Sequence, residues 1–414
     1  MKRMKGCKSV VRRAFCWALC ACLSVMAAQG RDADSTGGDT PRGVAAWLGL
    51  GWNLGNQFDA HADGVAAETA WGQPPATPEL FRKVAEAGFT SVRIPVTWLG
   101  HIGPAPDYRL DSLWLDRVEE VVDDAAQAGL RVMLNIHHDG ADSRYWLDIK
   151  RAATDGSVNE AVKAQLRAVW TQIAGRFKDK GDFLIFESMN EIHDGGWGWG
   201  ANRTDNGRQY AVLNEWNQVF VDAVRSTGGN NATRYLGVPG YCANPELTVE
   251  HFVMPKDEVK GRLMVAIHFY DPVDYTLEAK CPEWGHTARP GKAPEWGGED
   301  NVVRVFSRVK ERFIDRGIPV YIGEMGCVRR GDERGEAFRR YYLEYVCKAA
   351  RTYGMAPFVW DNGLDSVGRE CSGLFDRKNG AFFTHSEDVV RAMVKAVFSD
   401  DASYTLDTVY QTAP

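Results

Sequence analysis

Positive charge is not in excess in this chain. Its 49 Lys and Arg stand against 55 Asp and Glu, a formal net charge of −6, so no basic stripe serves a polyanion and nucleic acid is not an expected partner. Long apolar runs are missing too: Phe15 to Ala28 is too short for a spanning helix, and no transmembrane segment is expected. Of nine cysteines, four lie in the first 22 residues, leaving Cys242, Cys281, Cys327, Cys347 and Cys371. Their odd number requires at least one to be free or paired between chains, and no CxxC spacing points to a zinc or redox centre. Internal repeats and low-complexity tracts are absent after the N-terminal segment. A neutral ligand, no metal and no cofactor are the expectations left standing.

The first thirty residues read as a secretory signal. Lys2, Arg3, Lys5, Lys8, Arg12 and Arg13 precede the apolar run, and polar Arg31-Asp32-Ala33-Asp34 follows it. Soluble export, to the medium, the periplasm or the cell surface, is expected over a lipid anchor, because apolar residues continue past the faint lipoprotein box Leu19-Cys20-Ala21-Cys22. Residues 31–42 are expected to form a flexible leader, 43–400 one folded domain and 401–414 a polar tail, with the chain acting as a monomer.

From about residue 43 short apolar segments alternate with longer amphipathic ones. Eight strands are expected, at 49–54, 91–96, 132–136, 183–187, 235–238, 264–269, 320–323 and 357–360, with helices between them. Gly88, Gly129, Gly228, Gly317 and Gly354 stand just past helical stretches, where glycine takes a left-handed cap most easily. Eight alternating units predict an α/β fold, a single (β/α)8 TIM barrel. The long connections at 138–157, 192–209, 271–299 and 361–385 all follow strands, so they enlarge the C-terminal face, where such barrels carry their sites.

Three strands run into polar residues that a barrel core does not favour: Asn135-Ile136-His137-His138-Asp139, Glu187-Ser188-Met189-Asn190-Glu191 and Gly323-Glu324-Met325-Gly326. Carboxylates from strands four and seven suit glycoside hydrolysis, in which one group donates a proton to the leaving oxygen and the other attacks the anomeric carbon. The bland reading has Glu191 or Glu324 paired with Arg93 only to hold the rim. A metal-dependent hydrolase would use His137, His138, Asp139, His193 and His268 as ligands, and a non-catalytic sugar-binding barrel is the other rival.

An ordered series of motifs runs from about residue 43 to 380: Gly51-Trp52-Asn53-Leu54-Gly55-Asn56, Glu68-Thr69-Ala70-Trp71-Gly72, Val92-Arg93-Ile94-Pro95, Asn135 to Asp139, Phe186 to Glu191, Ile267-His268-Phe269-Tyr270, Ile322 to Gly326 and Val359-Trp360-Asp361-Asn362-Gly363. The series resembles glycoside hydrolase family 5, most of all the bacterial endo-β-1,4-glucanase branch that also contains xyloglucanases and lichenases. That resemblance implies a retaining double displacement on a β-glucan, with Glu191 as acid/base, Glu324 as nucleophile, and carboxyl groups about 5 to 5.5 Å apart. It further implies substrate contacts from Asn56, Trp71, Arg93, His137, His138, Asn190, His268, Tyr270 and Trp360; Arg93 and Tyr270 would bond the nucleophile. Xylan and mannan remain alternative substrates. One departure is visible: Asn190-Glu191-Ile192 stands where the family usually has Asn-Glu-Pro. The loop beyond it, His193 to Gly200, interleaves Trp197 and Trp199 with glycines. Either they are displayed to stack on sugar, or they fold back as anchors. Trp284, Trp296 and Tyr275 are further candidates for cleft walls.

Overall fold

The computed structural model describes residues 40–414; the expected signal and most of the expected leader lie outside them. Eight parallel strands close on themselves: β1 (Gly51–Leu54), β2 (Ser91–Ile94), β3 (Arg131–Asn135), β4 (Leu184–Glu187), β5 (Leu236–Pro239), β6 (Leu263–Phe269), β7 (Val320–Met325) and β8 (Ala356–Asp361), with β8 returning to β1. Every expected strand overlaps one of these. Each is buried on both faces, which is why the segments read as near-continuous apolar runs. No helix among the described residues is long and apolar enough to cross a membrane.

The helix ends follow their local chemistry. Thr77 and Asp111 accept backbone N–H groups at the starts of Pro78–Glu86 and Ser112–Gln127, and all five glycines expected as caps have positive φ, from 67° at Gly228 to 107° at Gly88. The weakest expected link, after the fifth strand, is a short helix, Pro245–His251.

Both ends of the domain are more ordered than their polarity suggested. Helix α1 (Pro41–Leu48), capped by Thr40, begins inside the segment expected as leader. Its Val44, Trp47 and Leu48 pack against Met133, Ile185, Met264 and Phe358, closing the barrel floor. In the segment expected as a tail, the helix Leu406–Gln411 packs on Glu333–Tyr353 and buries Val409. All five cysteines of the described residues are free.

One strand departs from regular pairing where it matters. On β6, His268 follows Ile267 directly, but their partners on β7 are Glu324 and Ile322. The pairing of β7 with β8 shifts in the same stretch, from Pro357–Ile322 to Val359–Met325. Strand β7 thus carries one extra residue, a β-bulge that re-aims the side chains at the strand's end. Gly323 sits in it: a Cβ there would meet His268 Nε2 at 3.0 Å.

Candidate active site

Glu191 and Glu324 meet at the C-terminal mouth of the barrel. One oxygen of each, with a nitrogen of His268, lies in a group whose atoms are all within 4.8 Å of one another. His268 Nδ1 is 2.6 Å from Glu191 Oε1 and 3.7 Å from Glu324 Oε2. Tyr270 donates its hydroxyl to Glu324 Oε2 at 3.0 Å, and Arg93 donates from Nη1 to Glu324 Oε1 at 2.8 Å. Both donors expected around Glu324 are therefore in place.

Arg93 serves more than one acceptor. Its Nε donates to Glu187 Oε2 at 2.8 Å, its Nη1 also to Asn53 Oδ1 at 3.0 Å, and its Nη2 to Asn190 Oδ1 at 2.7 Å. Glu187 in turn accepts from Tyr321 at 2.7 Å and Asn135 at 2.8 Å. The whole layer is buried, so the guanidinium and its two carboxylates exist only because each hydrogen-bonding group is met. Glu187, Asn53 and Tyr321 are site residues that the sequence reading did not single out. The signal available was position: Glu187 and Tyr321 lie on strands that must fill the barrel interior.

The sharing of Arg93 shows in the electrostatics. Burial pushes both carboxyls up. For Glu191 the His268 imidazole, helped by His193 and Arg93, more than offsets this, and its pKa is drawn down. Glu324 stays above the usual range, because burial and the neighbouring Glu191 outweigh His268 and an Arg93 that Glu187 also holds. Burial lowers His268, yet Glu324 and Glu191 together raise it above its ordinary 6.5. His137 falls well below that value through burial and its cationic neighbours, so it stands neutral, with Nδ1 3.1 Å from Asn135 Nδ2 and Nε2 3.9 Å from Glu324.

The remaining expected residues form walls. Trp360 lies nearly parallel to His137, 10° between planes and 5.9 Å between centroids; a Cβ on Gly55 would strike its indole at 2.7 Å. Trp71 is held by its indole N–H on His61 O at 2.9 Å, and its ring packs against those of His61 and His138 in a three-ring cluster. Glu68 pins that motif through a two-pronged pair with Arg117, both contacts 3.0 Å. His138 is half-buried with Nε2 3.7 Å from Asp59, whose carboxylate also accepts the backbone N–H of Asn56 at 3.2 Å.

Two expectations are corrected. Trp284 and Tyr275 are not cleft walls: both are buried, packed on Tyr342. Trp296 is half-exposed but lines a cavity of about 760 Å³ with His286, Glu299 and Tyr410, and with neither glutamate. Of the five residues of the metal reading, His137 and His138 stand together with Asp59 and His268 stands with the two glutamates, each group within 4.8 Å, whereas Asp139 and His193 are engaged elsewhere. Asp139 accepts from Trp98 N at 2.9 Å and Trp146 Nε1 at 2.7 Å, and His193 accepts from Gly195 N at 3.0 Å.

A (β/α)8 barrel that brings two glutamates together at its mouth, under aromatic walls and beside neutral donors, is built for glycoside hydrolysis. The family model for cellulase, glycosyl hydrolase family 5, matches residues 56–366. Endoglucanase A of Paenibacillus barcinonensis is 38% identical over 371 residues, 86% of this chain and 89% of that protein. A broad-specificity endoglucanase structure from Bacteroides salanitronis is 64% identical with a TM-score of 0.86, covering 87% of this chain and 96% of that one. A Bacteroides ovatus xyloglucanase, solved with a heptasaccharide, is 34% identical with a TM-score of 0.76, covering 86% and 76%. The chain belongs to glycosyl hydrolase family 5 and is a glycoside hydrolase.

Proposed function

We propose that the chain is an endo-acting β-1,4-glucanase that cleaves by double displacement, with Glu324 as nucleophile and Glu191 as acid/base. The observation that carries this is the short approach of the two carboxylates, within 4.8 Å between oxygens. Inversion needs room for a water, with the carboxyl groups about 6.5 to 9.5 Å apart, whereas direct attack suits groups about 5 to 5.5 Å apart; so short a contact between their nearer oxygens favours direct attack.

The hydrogen bonds support the division of roles. Glu324 is met by two donors, Arg93 and Tyr270, which favour its ionised form and aim its oxygens. Glu191 faces His268 instead, so this pair carries one exchangeable proton over a 2.6 Å contact. In the open cleft the proton rests toward His268. Substrate that expels water disfavours the ion pair and returns the proton to Glu191, which then protonates the departing oxygen as Glu324 bonds to the anomeric carbon. In the second half, ionised Glu191 takes a proton from water, whose oxygen displaces Glu324. Arg93 fixes Asn190 through its oxygen, presenting the amide nitrogen to the sugar 2-hydroxyl.

The substrate is β-1,4-glucan, with cellulose, mixed-linkage glucan and xyloglucan as its forms; relatives named endoglucanase and xyloglucanase favour this over xylan or mannan. We further infer export in soluble form, on the basic-then-apolar N-terminus. Assay against a panel of these five polysaccharides with product sizing tests the reading. Mixed oligosaccharides from the glucans are expected, and activity confined to xylan or mannan would overturn it.

A further inference from the structure

The loop that follows Glu191 is built to display two indoles. Trp199 is 79% exposed and Trp197 56%, so the reading in which both fold back as anchors does not hold. The rest of the loop is tied down. Asp194 accepts from the backbone of Gly196 and Asn202 and from Gln209 Nε2, at 3.0, 3.1 and 3.2 Å. Buried Asn202 donates to Gly198 O at 3.1 Å, and Trp199 N closes a turn on Gly196 O at 2.7 Å.

The glycines are forced by that path. A Cβ on Gly196 would collide with the backbone of Gly200 at 2.4 Å, and one on Gly200 with Asp194 at 2.3 Å. Trp197 itself holds a left-handed φ of 50°, a conformation that costs energy for a bulky side chain and here turns the indole outward. Arg203 covers one face of Trp199 at 4.5 Å, leaving the other for a ligand. Trp197 rests on His193 at 4.3 Å between centroids, and His193 acts electrostatically on Glu191. The platform thus begins at His193, two residues along the chain from the acid/base.

We propose that Trp197 and Trp199 bind the leaving-group side of the β-glucan chain by stacking on successive sugar rings; this rests on the roles assigned to Glu191 and Glu324. The side follows from the topology. In the closed ring of strands, β4 lies across the mouth from β8, so Glu191 and its loop face Trp360. The group that protonates the departing oxygen must stand beside the departing sugar, which places Trp360 under the other half of the chain.

The test compares a soluble mixed-linkage β-glucan with 4-nitrophenyl β-cellobioside, whose leaving group is not a sugar. A variant carrying Trp197→Ala and Trp199→Ala is expected to lose roughly five- to tenfold in kcat/KM on the glucan, with a change below about twofold on the aryl glycoside. A variant carrying Trp197→Tyr and Trp199→Tyr should recover most of the loss. Equal loss on both substrates, or none on the glucan, overturns the platform alone. A wild-type enzyme that cleaves neither substrate overturns the function and the platform together.

Discussion

At the scale of single residues, Arg93 divides one positive charge between Glu187 and Glu324. Glu324 must be ionised to attack, and its pKa is raised, so activity is lost as pH falls through a value above the ordinary 4.5. The proton of the Glu191–His268 pair must be present, and His268 is raised, so activity is also lost as pH rises through a value above 6.5. The resulting bell is expected to move in two separable ways. Glu187→Gln leaves Arg93 to Glu324 alone and should shift the acid limb of kcat/KM to lower pH. His268→Asn removes the base that stores the proton and should bring the alkaline limb to lower pH. An unmoved acid limb in the first variant, or an unmoved alkaline limb in the second, would contradict the respective assignment. Glu191 and Glu324 were legible in the sequence because carboxylates at strand ends are out of place in an apolar barrel. That Arg93 is shared was not legible: its place on a strand that fills the barrel interior marks Glu187 as a candidate, but nothing in the spacing shows that it reaches Arg93.

At the scale of elements, strand β7 delivers Glu324 through its bulge. Alternation and glycine caps made all eight strands readable, and the expected segments differ from the observed ones mainly at their ends. A one-residue bulge leaves no mark on such a pattern, because it is settled by the register of neighbouring strands. Gly323 is its visible trace. Gly323→Ala is expected to press on His268 and move it off Glu191, lowering kcat by about 10- to 100-fold with little change in thermal unfolding. Wild-type turnover in that variant would show the close approach to be unimportant. The loop after β4 gives the complementary case. Its glycines and tryptophans were conspicuous, but whether the indoles point in or out depended on Asp194, Asn202 and Arg203, whose bonds close only in three dimensions.

At the scale of the whole molecule, chemistry and stability occupy opposite ends of the barrel. Helix α1 seals the floor with Val44, Trp47 and Leu48, while the glutamates sit at the mouth. Trp47 also packs on Tyr235 at 5.3 Å. Trp47→Ala should cost about 3 kcal/mol and lower Tm by several degrees, with kcat at moderate temperature unchanged within about twofold; a lost kcat with unchanged Tm would reverse this division. The helix was missed in the sequence because its Pro41 and Arg42 continue a polar stretch, and only the barrel floor gives its apolar face a partner. The roles of the two glutamates are tested most directly by rescue with azide of the alanine variants acting on 4-nitrophenyl β-cellobioside, with the configuration of the glycosyl azide read by NMR. Glu191→Ala is expected to give the β-azide, since the intermediate on Glu324 still forms and azide replaces water. Glu324→Ala is expected to give the α-azide, by direct displacement from the face that the nucleophile has vacated. The opposite configurations would contradict the assignment.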